Sequence, residues 1–63
     1  MCLSTVYKNT KEDANIAMRN VMRIECKDGQ VLITDLMDRT LAITGELVEA
    51  NLVDGFVIVK EVL

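Results

Sequence analysis

The residue best placed for metal chemistry is Cys2, beside the first methionine. Cysteine is small enough to permit removal of Met1, which leaves Cys2 at the chain start. A terminal cysteine carries an amine and a thiol on adjacent carbons. Deprotonated, the pair closes a chelate ring on a metal. Nitrogen and thiolate donors suit nickel(II) and copper(II), which accept square-planar geometry. Two chains meeting at a two-fold axis would bring a sulfur and a nitrogen each, a complete ligand set without histidine. Backbone nitrogens at Met1, Cys2 or Leu3 can replace the amine. Binding releases protons, because a free thiol titrates near ~8.5 and an α-amine near ~7.7–8.0. Affinity is therefore expected to rise with pH. The bland alternative is an inert cysteine that happens to stand at position 2.

Other chemistry has few tools. The chain has no histidine, so the usual general base and the commonest metal ligand are missing. A Ser-His-Asp or Cys-His arrangement cannot be built within one chain. The glycines are isolated and form no phosphate loop. Asp35 and Asp38 match no calcium-loop spacing and read as solvated turn residues. No catalytic residue is expected, and the reading is not an enzyme.

Seven basic and ten acidic residues give a net charge of −3, against the positive face that nucleic-acid binding needs. Arg19, Arg23 and Lys27 share one parity of a strand, but Glu25 stands among them. Tyr7 and Phe56 are the only aromatic residues, so a base-stacking platform is barely available.

A chain of 63 residues is one small domain, 1–63, and buries only ~60% of the surface it exposes when unfolded. At this size a staple is expected: a disulfide, a metal or a second subunit. With 51% hydrophobic and 27% charged residues the chain is expected to fold. It has no apolar run of membrane-spanning length and no signal-peptide pattern, so a cytoplasmic location is expected. In that reducing compartment a disulfide between Cys2 and Cys26 is not favoured.

The elements that position Cys2 read as strands. Asp28-Gly29 and Asp54-Gly55 are each flanked by apolar-rich segments, the strongest short hairpin signal. A two-residue loop at Asp28-Gly29 sets Lys27 opposite Gln30, Cys26 opposite Val31 and Ile24 opposite Ile33. Met22, Ile24, Cys26, Val31 and Ile33 then share an apolar face, which makes Cys26 a small buried hydrophobe. A two-residue loop at Asp54-Gly55 sets Val53 opposite Phe56, Leu52 opposite Val57 and Ala50 opposite Val59. Glu49 then faces Lys60. One face of this hairpin carries Val48, Ala50, Leu52, Val57 and Val59. The other carries Leu47, Val53, Phe56, Ile58 and Val62, too much apolar surface for a barrel this small to hide. A second subunit is expected to cover part of it.

Leu3–Lys8 reads as a strand, and Leu41–Thr44 as another, ended by Gly45. Met37-Asp38-Arg39 reads as a turn. Thr10 and Asp13 resemble a helix-start box, but the segment to Met18 is too short for a stable helix. It reads as a turn plus a short strand with Ile16 and Met18 inward. The total is an all-β chain of five to seven short antiparallel strands, best closed as a small SH3-like barrel.

The opening Met-Cys-Leu-Ser-Thr-Val-Tyr resembles the start of the CooT-type nickel-binding proteins. Val21–Leu36, with Asp28-Gly29, resembles that family's central hairpin. Gly45–Gly55 resembles its C-terminal part. The resemblance implies an SH3-like barrel and a homodimer that binds one nickel(II) between subunits through the Cys2 position of each chain. It also implies a metallochaperone or nickel store for maturation of a nickel enzyme, carbon monoxide dehydrogenase in particular, as its client. Family members are also often labelled RNA-binding. The alternatives are therefore an RNA-binding small barrel using Arg19, Arg23, Lys27 and Tyr7, and a dimerising barrel with an inert Cys2.

Overall fold

The computed structural model describes residues 3–62. Five strands follow in chain order: β1 (Ser4–Lys8), β2 (Ile16–Lys27), β3 (Gln30–Asp35), β4 (Thr40–Asn51) and β5 (Phe56–Glu61). Each pairs with the next in antiparallel fashion, and β5 closes the barrel by lying parallel to β1. The all-β expectation holds, and this is a small SH3-like barrel. Closure leaves few exposed strand edges in so short a chain.

The β2–β3 hairpin adopts the expected register, with Lys27 opposite Gln30, Cys26 opposite Val31 and Ile24 opposite Ile33. Asp28 and Gly29 both take positive φ, at 53° and 77°. That is the two-residue turn whose twist matches the strands it joins. Cys26 does not follow from this register: it is exposed, not buried. A bulge between Val21 and Arg23 accounts for the neighbouring change. It slips the alternation by one residue, so Val21 is buried and Met22 is 47% exposed. On β2 beyond the bulge, Ile24 packs against the core, to which Val31 and Ile33 of the same face belong.

The β4–β5 hairpin corrects the sequence reading. Asn51, not Val53, faces Phe56, and residues 52–55 form a four-residue turn. The cause is the Asn51 side chain. Its Oδ1 accepts from the N–H groups of Val53 and Asp54 at 3.2 and 2.9 Å, and its Nδ2 donates to Asp54 Oδ2. An asparagine that binds the backbone ahead of it makes a turn of its own, which outcompetes the two-residue loop. Ala50 therefore faces Val57. A bulge between Leu47 and Glu49 then sets Glu46, not Glu49, opposite Lys60. The supposed apolar face reduces to Val57 and Val59 in the core. Val48 and Leu52 are exposed.

β4 also runs through Gly45 instead of ending there. Before Gly45 it pairs with β3, and from Gly45 onward with β5. A Cβ at Gly45 would lie 1.9 Å from the Lys60 carbonyl oxygen. Only glycine lets the two backbones approach this closely at the barrel corner.

Thr10–Met18 forms a single 3-10 turn at Asp13–Asn15 followed directly by β2. Ile16 and Met18 are half-buried, and Met18 packs on the core. The core itself is Val6, Val21, Val31, Ile33, Ile43, Val57 and Val59. Six of the seven are valine or sit on alternate strand positions with one; β-branched side chains suit a narrow pleated interior.

Candidate functional site

Cys2 and Met1 lie outside the described residues. What the structure defines is the anchorage of the chain that follows them. Leu3 is half-buried, and Ser4 pairs with Val21 of β2. The Thr5 N–H donates to the Gly55 carbonyl at 3.0 Å. The Leu3 carbonyl oxygen passes 3.4 Å from the place of a Gly55 Cβ. The start of β1 is thus held against the β4–β5 turn. A hollow of about 220 Å³ adjoins it, lined in part by Ser4, Met22, Ile24 and Leu52. Met22, Leu52 and Val53 are 47%, 75% and 95% exposed. Met22 and Leu52 thus present exposed apolar side chains at this hollow beside Ser4.

Cys26 belongs to a different region. Val21, which pairs with Ser4, precedes it by five positions along β2, a run of ~16 Å at strand rise. It lines a hollow beside the Asp28-Gly29 turn with Gly45 and Leu47. Among the described residues no group of three or more histidine, cysteine, aspartate or glutamate side chains could hold a metal ion. A metal site that includes this chain's thiolates therefore has to draw on Cys2 or on the exposed Cys26.

The three cations of β2 do not form one row. Arg19 lines a groove with Asp35 and Arg39, whereas Arg23 lines the hollow beside Ser4. The bulge between Val21 and Arg23 lies between them and breaks their shared parity. Arg23 also pairs with Glu25 at 3.8 Å.

Asp35 is a correction to the reading of a solvated turn residue. It is 2% exposed, the one buried charged group among the described residues. Its Oδ1 accepts from the N–H groups of Met37 and Arg39, both at 2.9 Å, and its Oδ2 accepts from Arg39 Nε at 2.7 Å. The Arg39 N–H does most to lower the carboxyl below its usual 3.8; the guanidinium and the Met37 N–H add to this, and burial opposes them. Alternation along β3 carried the signal: Val31, Ile33 and Asp35 share a parity, and all three are buried.

The described residues form a small closed β-barrel. The family described as the CO dehydrogenase accessory protein CooT matches residues 1–60, and the chain belongs to that family. No curated protein matches it. No helix among the described residues is long and apolar enough to cross a membrane.

Proposed function

We propose that this protein binds nickel(II) as cargo for the maturation of carbon monoxide dehydrogenase, holding the ion between two copies through Cys2 of each. Membership of a CO dehydrogenase accessory family across residues 1–60 is the observation that carries the reading. The donor inventory supports it, because the sequence contains no histidine and Cys2 is one of only two thiols. A thiolate with an adjacent amine or backbone amide nitrogen makes half of a square-planar set, and a second copy makes the other half. Apolar side chains at the barrel end beside Leu3 support self-association there, since exposed apolar groups gain by mutual burial. The role is delivery or storage, with no catalytic residue assigned, and a cytoplasmic setting fits free thiols.

Optical titration tests this. Nickel(II) added to the purified protein should produce thiolate-to-metal absorption that saturates at about half an equivalent per chain, the ratio of one ion to two thiolate-bearing copies. The signal should be absent from Cys2→Ser and should strengthen as pH rises toward the thiol range. No absorption at neutral pH, or its survival in Cys2→Ser, would remove the proposal.

A further inference from the structure

Aspartate is followed by glycine at two places in the chain, Asp28-Gly29 and Asp54-Gly55, and the fold treats the two differently. Both glycines take positive φ, at 77° and 76°. Asp28-Gly29 is the exposed loop between β2 and β3, held only at its ends by the pairing of Lys27 with Gln30. The peptide unit inside it makes no hydrogen bond among the described residues, neither at the Asp28 carbonyl nor at the Gly29 N–H. The Asp28 carboxylate takes part in none of their side-chain hydrogen bonds or ion pairs. Nothing stands within 4 Å of the place of a Gly29 Cβ.

Asp54-Gly55 is tied down at each of these points. The Gly55 N–H donates to the Asn51 carbonyl at 2.9 Å, and the Gly55 carbonyl accepts from the Thr5 N–H at 3.0 Å. Asn51 Nδ2 donates to Asp54 Oδ2 at 3.0 Å, and the Asp54 N–H donates to Asn51 Oδ1 at 2.9 Å. One residue, Asn51, therefore holds both the backbone nitrogen of Gly55 and the carboxylate of Asp54.

We infer that Asp28 is a modification site of the folded protein, converting to isoaspartate with water as the sole co-reactant, and that Asp54 is shielded from the same reaction. The Gly29 backbone nitrogen attacks the Asp28 side-chain carbon. A carbon–nitrogen bond forms, the nitrogen loses its proton, and the carboxyl hydroxyl leaves as water. Water then opens the five-membered imide. Cleavage of the new bond restores aspartate; cleavage of the original peptide bond leaves the chain running through the side chain, with the α-carboxylate free. One water leaves and one enters, and nothing is oxidised or reduced. The attack requires the Asp28–Gly29 peptide to rotate and the nitrogen to be unobstructed, which glycine and an unbonded peptide unit both permit. The product carries one extra main-chain carbon in a loop whose length sets the strand register. It falls beside the barrel corner, where the Gly29 carbonyl accepts from the Gly45 N–H at 3.0 Å and the two glycines share a hollow with Cys26. This goes beyond the nickel reading and does not depend on it.

The test ages the purified full-length protein for several weeks at body temperature, once folded and once in urea. Trypsin, cutting after Lys27, Arg39 and Lys60, then places the two dipeptides in separate peptides, 28–39 and 40–60. Electron-transfer fragmentation tells isoaspartate from aspartate at unchanged mass. In the folded protein isoaspartate should accumulate at Asp28 about tenfold or more faster than at Asp54, the factor implied by two ordinary hydrogen bonds that must break first. In urea the two rates should converge. Asn51→Ala, which deletes the side-chain bonds to Asp54, should raise the rate there in the folded protein. No isoaspartate at Asp28, equal rates at both positions of the folded protein, or a difference that persists in urea would overturn the inference. So would an Asp54 rate unmoved by Asn51→Ala.

Discussion

Gly45→Ala should be among the most damaging single changes available in this barrel, although the position is only half-buried. The added methyl would sit 1.9 Å from the Lys60 carbonyl oxygen, and the next nearest atoms are also backbone of β5. No side chain can swing aside to make room. The backbones must separate by more than an ångström, at the point where β4 passes from β3 to β5 and Gly45 faces Glu61. The Gly45 φ of 156° adds strain for any side chain. Strain of ~1–3 kcal/mol and a weakened ladder bond of ~0.5–1.5 kcal/mol sum to about 1.5–4.5 kcal/mol. A domain of this length has roughly 3–9 kcal/mol in total at the usual stability per residue. At ~4–8 °C per kcal/mol, Tm should fall by about 6–36 °C. Thermal and urea unfolding followed by circular dichroism reads this, with Gly29→Ala as control. Gly29 has positive φ but open space around it, so alanine there meets only the left-handed penalty of ~1–2 kcal/mol. If Gly45→Ala proves no more costly than Gly29→Ala, the close approach at the barrel corner is not what requires glycine.

Acid should expose the Asp35 network. Its folded carboxyl is held below 3.8, so its stabilisation is fully present above that value and disappears as pH falls through the lower folded value. Asp35→Asn should flatten the pH dependence of Tm below about pH 4, where carboxylates titrate, and equal slopes for variant and parent would contradict the assignment. Cys26→Ser should change stability by less than about 0.5 kcal/mol, as an exposed position implies, and leave nickel-dependent absorption intact. A large loss of stability would restore the buried reading, and a loss of absorption would make Cys26 a ligand.

The β2–β3 register was readable because Asp28-Gly29 has one good solution: both residues take left-handed angles and the flanking alternation agrees with them. The β4–β5 register was not, because two turn chemistries compete at Asn51–Gly55 and the local bonds of the Asn51 side chain to Val53 and Asp54 decide between them. The bulges after Val21 and after Leu47 were also invisible. A bulge leaves composition and spacing unchanged, yet it reverses which side chains face inward beyond it, as Met22 shows. Gly45 read as a strand end because glycine weakens strands; its actual role depends on a β5 backbone that local sequence does not contain. Of the candidate site, the identity of Cys2 as a ligand remains a proposal. Asp35 stands beside a turn, where its charge alone implies solvation; its parity with Val31 and Ile33 is what marks it as buried. The wide apolar surface of the last hairpin was foreseen in kind: Leu47, Val53 and Val62 are exposed as expected, at 41%, 95% and 59%. Phe56 and Ile58 are instead half-buried, with Lys11 Nζ 4.3 Å from the Phe56 ring centre.

Native mass spectrometry of the intact protein loaded with nickel(II) tests the central claim most directly, because it weighs subunits, metal and the fate of Met1 in one spectrum. The account predicts a species of two chains with a single nickel, and with Cys2→Ser a spectrum free of bound nickel. A nickel-bearing single chain, or a Cys2→Ser protein that still carries the ion, would contradict it.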